Sequence, residues 1–433
     1  MSSLPKLETL PNLPAQKRPT ALLLVADYHG TLACVRSLGR AGVDVTVADW
    51  RRMVPAVWSK FTKRSLKCPD PTSQPRETIT WLLELGAREP GMVLIPTTDD
   101  IAWLYARHRA ELQQFFVLDA PHVDAVYALL NKWKLREACT AVGIDTPDTW
   151  LPGEDLDQAE LRFPLLIKPQ SQTLLFPHQK GRVVRDRSEL KALYEEFKSE
   201  TSYAGALLDA DPNVKTPMLQ ALVESRGIYG LSGFIDASGE LFVASAARKV
   251  LQKPQILGVG LCFQQAKLNE ELAQKLRALC RHVGYHGLFE VEFLEENGKF
   301  LLIDFNPRTY GQIAFDISRG ADLPLMAYLH AVGDLKALRT VVETAQKKLH
   351  HEKTRAWCDR ISLELFLNLR RLTGKINGAQ ARTWTQWIRA NERHLTDAMI
   401  DRDDWVPALI GAISAIWAHA KHPRATWRLV KES

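Results

Sequence analysis

Residues 287–312 read Gly-Leu-Phe-Glu-Val-Glu-Phe-Leu-Glu-Glu-Asn-Gly-Lys-Phe-Leu-Leu-Ile-Asp-Phe-Asn-Pro-Arg-Thr-Tyr-Gly-Gln. Two apolar runs flank a Glu-Asn-Gly turn, the pattern of a β-hairpin. Oxygen-bearing side chains stand at alternating positions inside those runs: Glu290 and Glu292 in the first, Asp304 and Asn306 in the second. Side chains alternate faces along a strand, so each pair shares a face. A carboxylate on a buried strand is costly unless it is paired or bound to a cation. Several on one face point to a hard divalent metal, which takes oxygen ligands from carboxylates and bridges substrate phosphates. The hairpin therefore reads as a Mg²⁺–nucleotide site.

The register follows from counting. For both pairs to face one metal, the connecting loop must hold an odd number of residues. This predicts a three-residue loop, Glu296-Asn297-Gly298, with Gly298 left-handed in a bulge. Asp304 would then lie opposite Glu290 and diagonal to Glu292. Phe289, Val291, Phe293, Ile303 and Phe305 would form the opposite, buried face.

Outside the hairpin, the chain has 433 residues, enough for two to four domains. Its 46% hydrophobic and 24% charged content is that of a soluble globular protein. A formal net charge of +6 suits anionic small substrates, and without a long Lys/Arg run it excludes a nucleic-acid partner. The six cysteines are scattered with no Cys-x-x-Cys pair, which predicts buried free thiols in a reducing cytoplasm. Residues 1–18 lack the apolar core of a secretory signal and are expected to be a disordered leader.

An apolar run at Ala21–Ala26, a helical pattern and an alternating run at Val43–Ala48 form a strand–helix–strand unit of parallel α/β type. Val93–Pro96 and Phe116–Leu118 add strands, which defines an α/β domain over 19–125. Only Gly30 stands where a Gly-x-Gly-x-x-Gly fingerprint would fall, so dinucleotide binding is rejected. Residues 126–335 alternate strand and helix patterns as a mixed α+β domain with antiparallel sheets. Residues 336–433 are mostly helical and hold six of the twelve tryptophans.

On these residues the chain resembles the ATP-grasp superfamily over about residues 20–335, and in particular its predicted carboxylate–amine ligases. The acid-x(11)-acid-x-Asn-x-Arg motif of that superfamily reads here Glu292…Asp304-Phe305-Asn306-Pro307-Arg308. The resemblance implies an ATP-grasp fold, an N-terminal Rossmann-like pre-ATP-grasp domain and a C-terminal helical extension. It also implies ATP and two Mg²⁺ ions (Mn²⁺ as substitute) held by Glu292, Asp304 and Asn306, with Glu290 beside them. Arg308 would sit near the transferred phosphoryl group. Lys132 and Lys168, in Asn131-Lys132 and Leu166-Ile167-Lys168-Pro169, match the two phosphate-embracing lysines. Gln220 and the Leu222 backbone would face adenine, with Glu224 at the ribose hydroxyls. Arg248, in Ala247-Arg248-Lys249, would contact the β/γ-phosphates or an acyl-phosphate, and Gly258-Val259-Gly260 would form a flexible loop near the acceptor. The segment after Lys168 has no glycine cluster; Lys180 within it would either reach over the phosphates or be an ordinary loop lysine.

The activity implied is activation of a carboxylate as an acyl-phosphate, followed by displacement by an amine of amino-acid or peptide type, with release of ADP and phosphate. Two other readings stay open: a carboxylase-like step through carboxyphosphate, and an ATP-binding regulatory module without catalysis. Asp99, in Thr97-Thr98-Asp99-Asp100, is either an amine-capturing acid or a helix cap, and His282 and His286 are expected to be structural. The apolar run Val406–Ala418, followed by Lys421, Arg424, Arg428 and Lys431, is too short to span a bilayer. It is expected to pack on the catalytic domain or across a homodimer interface; peripheral contact of 405–431 with an anionic membrane is the less favoured reading.

Overall fold

The computed structural model describes residues 18–152, 161–225, 227–253, 258–349 and 355–421. The expected leader lies outside them, apart from residue 18. Three main sheets build the molecule. The first is parallel: β1 (Ala21–Leu24), β2 (Val45–Asp49), β3 (Thr62–Lys67) and β4 (Val93–Leu94), in the order β3-β2-β1-β4. The right-handed logic of parallel strands puts the helix His29–Arg40 between β1 and β2. Phe116–Leu118, expected as a strand, supplies only a bridge from Val117 to Val93. β3 escapes a hydrophobicity reading because Thr-Lys-Arg-Ser-Leu-Lys is an edge strand that alternates half-buried and exposed positions.

The second sheet is antiparallel: β5 (Thr149–Trp150), β6 (Leu165–Lys168), β8 (Arg182–Val184) and β10 (Met218–Ala221), in the order β5-β10-β6-β8. β7 (Leu175–Phe176) pairs with β9 (Ser202–Tyr203) beside it. The helix Arg187–Glu200 buries Leu190, Tyr194 and Phe197 against Leu165, Ile167 and Leu219.

The third sheet has seven strands: β11 (Ile228–Ile235), β12 (Phe242–Lys253), β13 (Val259–Ala266), β14 (Gly287–Glu296), β15 (Lys299–Asn306), β16 (Ala356–Cys358) and β17 (Leu395–Asp397). Their order is β15-β14-β11-β12-β13-β16-β17. The region expected to be helical beyond residue 335 thus also supplies two strands to this sheet. The expected loop at Gly258–Gly260 is corrected: Val259 and Gly260 open β13, and a Cβ on Gly260 would meet the Phe263 ring at 2.3 Å. Glycine there serves close packing within a strand.

The helix His29–Arg40 packs against Ile313–Ser318 and Leu323–Ala331, so one apolar core runs from the first sheet to the third. Gly30 lets that helix close on the chain just past the hairpin, since a Cβ there would lie 2.6 Å from the Tyr310 carbonyl oxygen. A second core, with Tyr229, Val291, Phe293, Leu302 and Phe305, fills the side of the third sheet under Glu270–Val283. All six cysteines are buried and free. No helix among the described residues is long and apolar enough to cross a membrane.

Candidate active site

The hairpin puts its four oxygen-bearing residues on one side, by a route the sequence did not suggest. The turn is the two-residue Asn297-Gly298, because Glu296 pairs with Lys299. Both turn residues are left-handed, with φ of 50° and 80°, as a tight hairpin requires. The odd count comes instead from a β-bulge. Phe293 pairs with Leu302 and Glu292 with Asp304, which leaves Ile303 as the extra residue. Asp304 therefore stands opposite Glu292, not Glu290, and Asn306 stands opposite Glu290. Leu302, not Ile303, joins the apolar face.

Glu290 is buried, accepting from Asn306 Nδ2 at 2.6 Å and from Gln312 Nε2 at 3.0 Å. Burial, and then the charge of Glu292, push its carboxyl well above the usual range against the pull of Lys249. Glu292 pairs with Lys249 Nζ at 2.5 Å. Asp304 pairs with Lys132 Nζ. Burial works to raise the Asp304 carboxyl, but Lys132, with Lys168 and Lys180 nearby, outweighs it and holds it at about 2.

Lys132 starts the helix Lys132–Ala141, where Asn131 caps the Trp133 and Lys134 amides. The Lys132 N–H also donates to the Gln170 carbonyl at 2.6 Å, which fixes the helix start to the bend just past β6. Lys168 ends β6 in a buried position and donates to Gln220 Oε1 at 3.1 Å. Burial, and then Lys132, push its ammonium down to about 7, against the pull of Asp304. Lys180 donates to the Gly258 carbonyl at 3.4 Å; burial lowers its pKa while Glu292 raises it. The start of the helix Lys132–Ala141, the end of β6, the segment before β8 and the strand β12 so place Lys132, Lys168, Lys180 and Lys249 around the Glu292–Asp304 pair.

Arg308 is locked from three sides. It pairs with Asp99 through Nε at 2.9 Å and Nη2 at 3.3 Å, donates to Tyr28 Oη at 3.2 Å, and reaches Asn306 Oδ1 at 2.6 Å. Burial opposes its charge, but Asp99 and the other partners hold its pKa far above the ordinary value. Asp99 is thus neither free nor the cap: Thr98 caps the helix Asp99–Arg107. That ion pair ties the carboxyl edge of the parallel sheet to the hairpin.

Three expected contacts fail. Arg248 faces away from the acids; it is exposed, pairs with Glu295 at 2.5 Å and lies over the Tyr229 ring. Arg248 stands across from Tyr229, which is buried in the opposite core, so strand alternation gives the site to Lys249 instead. The Leu222 N–H already donates to the Pro164 carbonyl at 3.3 Å. Gln220 is buried with its amide shared between Lys168 and Thr149 Oγ1, the latter at 3.2 Å, so it turns inward rather than to an open cleft. Glu224 is exposed just past β10. Sequence reading missed Lys249, Gln312 and Tyr28; only the facing rule applied to Arg248 would have found the first. His286 pairs with Asp119 at 2.9 Å beside His330, away from the hairpin acids.

No family model matches the chain. Among curated proteins it is 24% identical over 200 residues to the carbamoyl phosphate synthase large chain of Campylobacter jejuni, covering 45% of this chain and 17% of that one. It is 21% identical over 287 residues to the D-aspartate ligase of Enterococcus faecium, covering 61% of this chain and 63% of that one. The chain therefore spans less than two thirds of either relative. Among solved structures, the L-amino acid ligase of Bacillus licheniformis superposes with a TM-score of 0.56 at 14% identity, over 79% of this chain and 80% of that one. That likeness shows a shared fold.

Proposed function

We propose that this chain, a member of the ATP-grasp superfamily, is an ATP-dependent ligase that activates a small-molecule carboxylate as an acyl-phosphate and joins it to an amine of amino-acid or peptide type. The observation that carries the reading is the ring of four lysines around the cross-strand Glu292–Asp304 pair. Without a ligand those amines and acids neutralise one another. A polyanion would engage the amines and free the carboxylates for cations, a coupling that suits a metal–triphosphate.

Among the described residues, no group of three carboxylate, imidazole or thiol side chains is already arranged to hold an ion. The donors fit Mg²⁺ nonetheless: Glu292, Asp304 and the Asn306 amide are hard oxygens on one face, with Glu290 behind them. Bound there, two such ions would neutralise the triphosphate charge. Lys132, Lys168 and Lys180 would embrace the phosphates as point charges, and Lys249 replaces Arg248 in that set. Arg308, held by Asp99 and Tyr28, would face the transferred group with its fork already oriented, so little reorganisation accompanies charge development. The end of β10 would meet the base, with Glu224 at the ribose.

The carboxylate oxygen attacks the γ-phosphorus and the bond to the bridging oxygen of ADP breaks. The amine nitrogen then attacks the acyl carbon and phosphate leaves. Such transfer depends on positioning and charge neutralisation more than on a protein nucleophile. Buried free thiols and ATP use suit a cytoplasmic enzyme.

The test is ADP release with Mg²⁺ and pooled carboxylates and amines, followed by mass analysis of the product. Turnover that needs both a carboxylate and an amine supports the reading. Turnover that needs bicarbonate favours the carboxylase alternative, and tight ATP binding without turnover in any pool favours a regulatory module.

A further inference from the structure

The helix Val406–Lys421 presents two unlike faces. Inward, Pro407, Ile410 and Gly411 are buried, and a Cβ on Gly411 would meet Met399 Sδ at 2.4 Å. Ser414 Oγ donates to the Met53 carbonyl at 2.7 Å, and the helix packs along Pro55–Trp58. The helix is thus fixed to the first α/β region, not to the 126–335 region on which it was expected to pack. Outward, Trp405 (61% exposed), Leu409 (48%), Ile413 (45%), Ile416 (66%) and Trp417 (70%) form one stripe. The spacing i, i+4, i+8, i+11, i+12 keeps all five on one side of the helix. Met53 and Trp58, each nearly half exposed, extend the apolar ground beside it.

The charge around the stripe is predominantly basic. The helix contains no Asp or Glu and ends on Lys421, and the sequence after it carries Arg424, Arg428 and Lys431 against the single acid Glu432. Arg402, Arg52 and Lys60 are exposed nearby, with Asp403 the exposed acid at the helix start. Tryptophan at both ends of an apolar stripe is the composition of a lipid headgroup boundary. At 16 residues the helix is too short to span a bilayer and long enough to lie in its surface.

We propose that this stripe docks the folded protein on an anionic lipid bilayer, with Trp405, Leu409, Ile413, Ile416 and Trp417 entering the interface and the exposed Arg52, Lys60 and Arg402 supplying positive charge beside it. The inference does not depend on the catalytic reading.

The experiment co-sediments the full chain with vesicles of phosphatidylcholine alone, or with about one third phosphatidylglycerol, at low and high salt. Binding to the anionic vesicles is expected to be about tenfold or more stronger than to neutral ones and to weaken with salt. The double substitution Ile413→Glu/Ile416→Glu should abolish it with the circular dichroism and melting temperature unchanged, since both side chains are exposed. Trp417→Gln, a milder change, should weaken it. Failure to sediment with anionic vesicles would overturn the proposal. So would binding that survives the double substitution, or a lipid-free dimer that the same substitution dissociates.

Discussion

At the residue scale, the site is defined by which amine meets which acid. Lys168 sits near pKa 7 in the free protein because burial and Lys132 oppose its charge more than Asp304 supports it. At pH 8 most of its population is neutral, and a triphosphate beside it would raise its pKa again. ATP binding at pH 8 should therefore take up as much as about one proton, and at pH 6 almost none. Calorimetry in phosphate and in Tris checks this, as equal enthalpies in the two buffers at pH 8 would contradict it. The neighbours Arg248 and Lys249 make a sharper pair. Lys249→Ala should lower kcat/KM by about 100-fold or more, the loss typical of a charge aimed at a reacting phosphoryl group. Arg248→Ala removes an exposed pair with Glu295, worth at most about 1 kcal/mol, and should leave turnover within a few-fold. Steady-state kinetics that reverse this order would return the role to Arg248.

At the element scale, the hairpin shows how a count decides chemistry. A two-residue turn alone would pair Glu292 with Ile303 and send Asp304 to the apolar side. The bulge at Ile303 corrects the face. Deleting Ile303 would leave Asp304 opposite Glu292 in a regular ladder, so nucleotide binding should survive. A deletion variant unable to bind nucleotide in calorimetry would show that the bulge does not set the face.

At the scale of the whole molecule, one buried carboxylate fastens the chain's end to its beginning. Asp404 accepts from Arg36 Nε at 2.9 Å, Ser59 Oγ at 2.7 Å and the Lys60 N–H at 2.8 Å. Arg36 is buried on the first helix, so its partner is not replaceable by water. Asp404→Ala should destabilise the protein by roughly 3–5 kcal/mol, because the buried Arg36 charge loses its ion pair and keeps only its bonds to the Met399 and Asp404 carbonyls. A thermal or urea melt would show it, and a loss below about 1 kcal/mol would mean that solvent reaches Arg36. The seam between the first and third sheets rests on similar long-range pairs, Arg308–Asp99 and His286–Asp119 among them.

The sequence by itself determined the hairpin, its acids and their shared face, and the parallel first sheet. Each is written in local alternation, where neighbours along the chain suffice. Only tertiary structure decided that Lys249 and not Arg248 meets Glu292, because that depends on which core claims Tyr229. It alone placed Asp99 against Arg308, 209 residues away, turned Gln220 inward to Lys168, and recruited β16 and β17 to the third sheet. Those outcomes depend on which distant surfaces pack together, and no local pattern of residues carries that information.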